Sequence, residues 1–125
     1  MNDDLYGKGL TVRKKVLGDS YVENSIANAD SFTEPLQRLA TEYCWGAVWT
    51  RDGLSLKMRS LLNVAMIAAL NRHNEFKLHV RGALRNGCTE EEIREVLLQA
   101  TIYCGMPAGA EAFRLAREVL AEPRT

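Results

Sequence analysis

Between Leu56 and Leu70 the chain offers almost no polar face: Leu61, Leu62, Val64, Ala65, Met66, Ile67, Ala68 and Ala69 follow one another nearly without interruption. Ser55 is placed to cap the helix this run predicts. A helix that is apolar all round in a small soluble protein has to be covered on every side. A chain of 125 residues buries a real core, yet hardly enough to enclose such a helix alone. A subunit interface is therefore expected.

The rest of the sequence also reads as helix. No segment shows sustained period-two alternation, and three prolines punctuate the chain. A first helix is expected over residues 5–17, broken by Gly18-Asp19-Ser20, with a short helical stretch to Ile26. Ser31-Phe32-Thr33-Glu34 has the form of a capping box, with Pro35 tolerated in the first turn. The helix it opens sets Leu36, Leu39, Ala40, Tyr43, Cys44 and Ala47 at helical spacing, and Thr50-Arg51-Asp52-Gly53 ends it as a loop. Asn71-Arg72-His73-Asn74 bends the chain before a helix over residues 75–85, which Asn86-Gly87 stops. Thr89-Glu90-Glu91-Glu92 is a second capping box, opening a helix through Cys104. Gly105-Met106-Pro107 separates that helix from a last one ending at Leu120. The fold class is all-α, with about six helices in a single domain over residues 1–125 and no repeat or linker.

Composition removes several function classes. Sixteen basic and sixteen acidic residues cancel, so no global field favours nucleic acid or an anionic membrane. The apolar run is too short to span a bilayer, and Met1-Asn2-Asp3-Asp4 lacks the basic-then-apolar pattern of a secretion signal. These features point to a cytoplasmic protein with no nucleic-acid or membrane partner. Cys44, Cys88 and Cys104 form no close pair. They and the two histidines lack zinc-ligand spacing, so no metal is expected.

Chemistry concentrates in Leu70-Asn71-Arg72-His73-Asn74-Glu75-Phe76-Lys77-Leu78-His79. A spacing of four sets Glu75 and His79 about 40° apart on one helical face, one turn above the other. A carboxylate that orients an imidazole is a unit of proton-transfer chemistry, although the same spacing also serves as a surface contact. Arg72 and Arg81 lie within a turn or two. Trp45 and Trp49, followed by Arg51, suit a pocket that packs a planar ring and binds a carboxylate, or else two core tryptophans and a solvated arginine. Tyr103, before the Gly105 turn, either lines a pocket or packs in the core.

Taken together, Trp45-Gly46-x-x-Trp49-Thr50-Arg51, Arg59-Ser60-Leu61, Asn71-Arg72, Glu75-x-x-x-His79, Asn86-Gly87 and Tyr103-Cys104-Gly105-x-Pro107 resemble the carboxymuconolactone decarboxylase family. The likeness runs over residues 5–119 and implies an AhpD-like helical bundle. AhpD-like disulfide reductases carry Cys-x-x-Cys-x-x-x-His; aligned on His79, those cysteine positions hold Arg72 and Glu75 here. The redox dithiol is absent, which argues against peroxide-linked chemistry.

The resemblance implies decarboxylation of 4-carboxymuconolactone to the enol-lactone of 3-oxoadipate, in protocatechuate breakdown. That substrate is a small lactone dicarboxylate whose ring accepts the electrons left by CO2, so no cofactor is called for. It also implies a homo-oligomer, a hexamer or trimer. On this reading His79 is the general acid or the donor to the lactone oxygen, with Glu75 orienting it and keeping it protonated; the reverse assignment stays open. Arg51 and Arg72 are the first choices for the carboxymethyl arm, with Arg81 and Arg59 in reserve, and Trp45, Trp49 and Tyr103 line the site. A related unsaturated lactone as substrate, a redox carrier, and a binding protein without catalysis are the competing readings.

Overall fold

The structure, a computed structural model, describes residues 2–124. Among them there are seven α-helices, one π-helical segment and no strand: α1 (Asp3–Leu17), α2 (Asp19–Ala27), α3 (Glu34–Leu39), the π segment (Ala40–Val48), α4 (Leu56–Leu70), α5 (His73–Arg85), α6 (Glu90–Cys104) and α7 (Met106–Leu120). The all-α expectation holds. The chain divides into two compact units, Met1–Leu56 and Lys57–Thr125.

In the first unit α1 begins earlier than its apolar pattern suggests, because the Asn2 side chain accepts from the Leu5 amide at 3.1 Å and caps it. The helix crosses the π segment glycine against glycine. A Cβ on Gly9 would run into the Thr41 carbonyl and stand 2.7 Å from the Gly46 nitrogen. Buried Arg13 reinforces the crossing, its Nη1 donating to Gln37 Oε1 at 2.9 Å and to Thr41 Oγ1 at 3.2 Å.

The capping box expected at Ser31 does not form: α3 starts at Glu34 with Thr33 as an N-cap that makes no side-chain cap bond, and Asp30 instead ties the preceding turn. The carboxylate of Asp30 accepts from the amides of Phe32 (3.0 Å) and Thr33 (2.9 Å), and the Asp30 amide donates to Thr33 Oγ1 at 3.0 Å. Asp30 reaches these amides with a charged acceptor, so Ser31 is left exposed. Helix α3 then runs straight into the π segment, which closes with the Trp49 amide on the Cys44 carbonyl at 3.0 Å. Such segments are rare and concentrate at functional sites, and nothing in the local pattern announces this one.

In the second unit the breaks fall where the sequence puts them. Asn71 adopts a φ of 56°, the sole positive value outside glycine among the described residues, and α5 starts two positions later. Gly87 (φ 89°) ends α5 with the Cys88 amide on the Ala83 carbonyl, and Gly105 (φ 106°) separates α6 from α7. The Thr89 capping box is complete: Glu92 N donates to Thr89 Oγ1 at 3.0 Å and Thr89 N to Glu92 Oε1 at 2.9 Å.

The core of this unit gathers Val64, Phe76, Val80, Ile93, Leu97 and Val119 from four helices. Each large side chain so buried contributes roughly 1.5–3 kcal/mol. Helix α4 gives this core Val64 and Ala68, while Met58, Leu62, Met66 and Leu70 stay exposed. Half of the apolar helix is thus uncovered within one chain. No helix of the described residues is long and apolar enough to cross a membrane.

Candidate active site

Helix α5 carries the expected proton-transfer pair on one face. Glu75 is exposed in its first turn, and His79, one turn on, is half-buried. The core contacts of Phe76 and Val80 set that orientation: both are essentially inaccessible, so the helix cannot roll. Desolvation lowers the pKa of His79 from 6.5 to about 4, and the ring is uncharged at neutral pH. The expectation that Glu75 keeps this imidazole protonated is not met, because burial outweighs an exposed carboxylate.

A polar group of α4 approaches the ring. Asn63 Nδ2 lies 3.4 Å from His79 Nδ1. Sequence reasoning passed over Asn63, although a signal existed: it is the polar side chain interrupting the apolar run from Leu61 to Leu70. Arg72 is exposed at the N-cap of α5, three residues before Glu75, where its backbone (φ -99°, ψ 88°) is not yet helical.

Two other expected site residues of this unit stand elsewhere. Arg81 points to the opposite side of α5 and holds Glu122 through Nε and Nη2, both at 2.8 Å. Its guanidinium fork is already filled by a carboxylate of its own chain, which explains why it is a poor reserve for a substrate. Tyr103 is 81% exposed, so it is not a core residue. It lines an open apolar groove with Met58, Leu62, Met66 and Val96.

In the first unit Trp45 and Trp49 stack on each other, ring centroids 4.6 Å apart and planes at 25°. Both are buried at 5% exposure. Their spacing of four sets them one turn apart on the same side, at the end of the π segment. The arrangement fits the core alternative better than a slot for a substrate ring. Arg51 is exposed just past the segment, its amide on the Val48 carbonyl at 3.0 Å. Arg59, on α4, is half-buried.

The three cysteines are free thiols. Among the described residues no three or more His, Cys, Asp or Glu side chains are grouped to hold a metal ion. What remains is a helix face with an uncharged imidazole and a carboxylate, and a guanidinium at the start of that helix.

A profile of the carboxymuconolactone decarboxylase family matches residues 34–118. The chain belongs to that family. Among curated relatives, the nitrosuccinic acid decarboxylase of Metarhizium robertsii is 48% identical over 93% of this chain and 81% of its own length. The 4-carboxymuconolactone decarboxylase of Acinetobacter baylyi is 39% identical over 95% of this chain and 90% of its own. An uncharacterised 15.0 kDa protein of Paracoccus denitrificans is 35% identical over 65% of this chain. The two family members with named activities are both decarboxylases, on different acids. As a carboxymuconolactone decarboxylase family member this chain carries a decarboxylase scaffold, with Glu75 and His79 on one face of α5 and Arg72 at its N-cap.

Proposed function

We propose that the protein removes CO2, without a cofactor, from a small dicarboxylate that carries its own electron sink. The two acids named for its relatives share one fragment. In each, the carbon losing CO2 also bears a carboxymethyl arm and feeds electrons into an acceptor, the conjugated lactone carbonyl or the nitro group. The bond to the carboxylate breaks, its electron pair moves to an acceptor oxygen, and the resulting dienolate or nitronate takes up a proton at carbon.

The observation carrying this reading is the family match with two decarboxylase relatives, together with Glu75 and the half-buried, uncharged His79 on one face of α5. A neutral imidazole is a hydrogen-bond donor to a developing oxyanion and not an acid. We therefore assign His79 to the acceptor oxygen and give Glu75, one turn away and open to water, the task of passing a proton from solvent to the carbon. Arg72 is assigned to the carboxymethyl arm, where a planar fork matches a carboxylate. A clamp on the departing carboxylate would instead stabilise the ground state and slow its loss.

4-Carboxymuconolactone remains the first substrate of this proposal, on the motifs around Trp45 and Tyr103. Nitrosuccinic acid is the second, and the 48% identity favours it. Both should be offered to the purified protein without added metal, with ultraviolet absorbance and CO2 release followed. Release of CO2 from either compound supports the reaction class, and the larger kcat/KM names the substrate. Failure to decarboxylate both overturns it.

Self-association belongs to the same proposal. The exposed Leu62, Met66 and Leu70 of α4, with Ile102 and Tyr103 of α6, form an apolar surface suited to a second copy.

A further inference from the structure

We infer that Asn63 is a positioning residue for His79: its side-chain amide donates to Nδ1 and so places the ring's proton on Nε2. Nδ2 of Asn63 carries hydrogens, and the ring atom 3.4 Å from it can only accept. A neutral imidazole has one donor and one acceptor nitrogen, so an accepting Nδ1 fixes the hydrogen on Nε2. The separation is long for a hydrogen bond in the free protein, as is common before substrate tightens such contacts.

The two helices holding this contact are themselves fixed. Val64, next to Asn63, is wholly inaccessible and shares a core with Phe76 and Val80 of α5. One turn before Asn63 on α4, the buried hydroxyl of Ser60 accepts from Asn86 Nδ2 at 2.8 Å at the far end of α5. Two polar ties on one side of α4 therefore meet α5, and the surrounding residues of the run are apolar. An amide placed amid leucine, valine and methionine loses solvent partners and needs one from the protein. His79 supplies it.

The consequence for catalysis rests on the decarboxylase reading. With the proton on Nε2 the ring presents a donor to the oxygen that gains charge. With the opposite tautomer it presents a lone pair to that oxygen, which is repulsive. The tautomer itself is independent of that reading and is observed without substrate.

The test uses the full chain labelled with 15N-histidine and long-range proton–nitrogen correlation at neutral pH, with His73→Gln to assign the second ring. The wild-type spectrum is expected to show a protonated Nε2 and a pyridine-like Nδ1. Asn63→Asp replaces the donor by an acceptor, so Nδ1 becomes protonated and kcat falls about a hundredfold or more, as wrong-tautomer variants do elsewhere, with KM changing less. Asn63→Leu leaves both tautomers populated and lowers kcat about tenfold. A wild-type ring protonated on Nδ1, or an Asn63→Leu spectrum identical to wild type, overturns the inference. If neither dicarboxylate is decarboxylated while the spectra follow this pattern, the reaction assignment falls and the Asn63 contact stands.

Discussion

Arg81 grips Glu122 with two parallel hydrogen bonds of 2.8 Å, joining α5 to the residue just past the end of α7. It closes a row of ion pairs that includes Lys77–Glu118 at 3.1 Å. Each group is about one-third exposed, so the pair contributes at most about 1 kcal/mol. Arg81→Ala is expected to lower the urea midpoint slightly and leave kcat/KM unchanged. A steep rise in KM would return Arg81 to the substrate site.

The pKa of His79 makes stability pH-dependent in a definite direction. Folded, the ring takes a proton only near pH 4; unfolded, it does so near 6.5. Between these values the unfolded chain binds more protons, so stability from this group is present above 6.5 and lost as pH falls towards 4. His79→Gln should flatten the acid limb of stability over that window. Proton NMR titration of the free protein should show no His79 transition between pH 7 and 5.

Removing the proposed proton-transfer groups should act on kcat. His79→Ala and Glu75→Gln are each expected to lower kcat by about a hundredfold while the fold, followed by circular dichroism, is retained. Near-native turnover in both would remove them from the chemistry. Arg72→Ala should mainly lower kcat/KM, since it withdraws binding to the carboxymethyl arm in ground and transition states alike.

The α1 crossing over the π segment tolerates no side chain at its centre. Gly9→Ala puts a methyl group against backbone at Thr41 and Gly46, which cannot withdraw as a flexible side chain would. A loss of about 1–3 kcal/mol is expected, read as a lower urea midpoint at unchanged slope. Gly7→Ala, where nothing lies within 4 Å, serves as the control and should not lower stability.

The uncovered half of α4 should make the protein associate. Light scattering is expected to give a mass that is a multiple of 14.0 kDa, and Met66→Lys to reduce it. A stable monomer at micromolar concentration would contradict self-association through this face.

Most helix breaks, and the shared face of Glu75 and His79, were legible because each is a local matter. The Thr89 box closes within four residues, Gly87 and Gly105 take backbone angles that side chains resist, and Glu75 and His79 share a face by the helical repeat alone. The missing dithiol was equally plain, since Arg72 and Glu75 stand where the Cys-x-x-Cys-x-x-x-His pattern of AhpD-like reductases would put cysteines. What the sequence could not decide depends on partners distant along the chain. Asn63 reaches a ring sixteen residues away, Arg81 a carboxylate forty-one away, and Gly9 a backbone that turns with π geometry. The charge of His79 belongs to this second group. Its residue type and spacing suggested an imidazolium held by Glu75, but burial by packed helices removed the water that a charged ring needs. Local hydrogen bonding and periodicity are written in adjacent residues; desolvation exists only once the helices have packed.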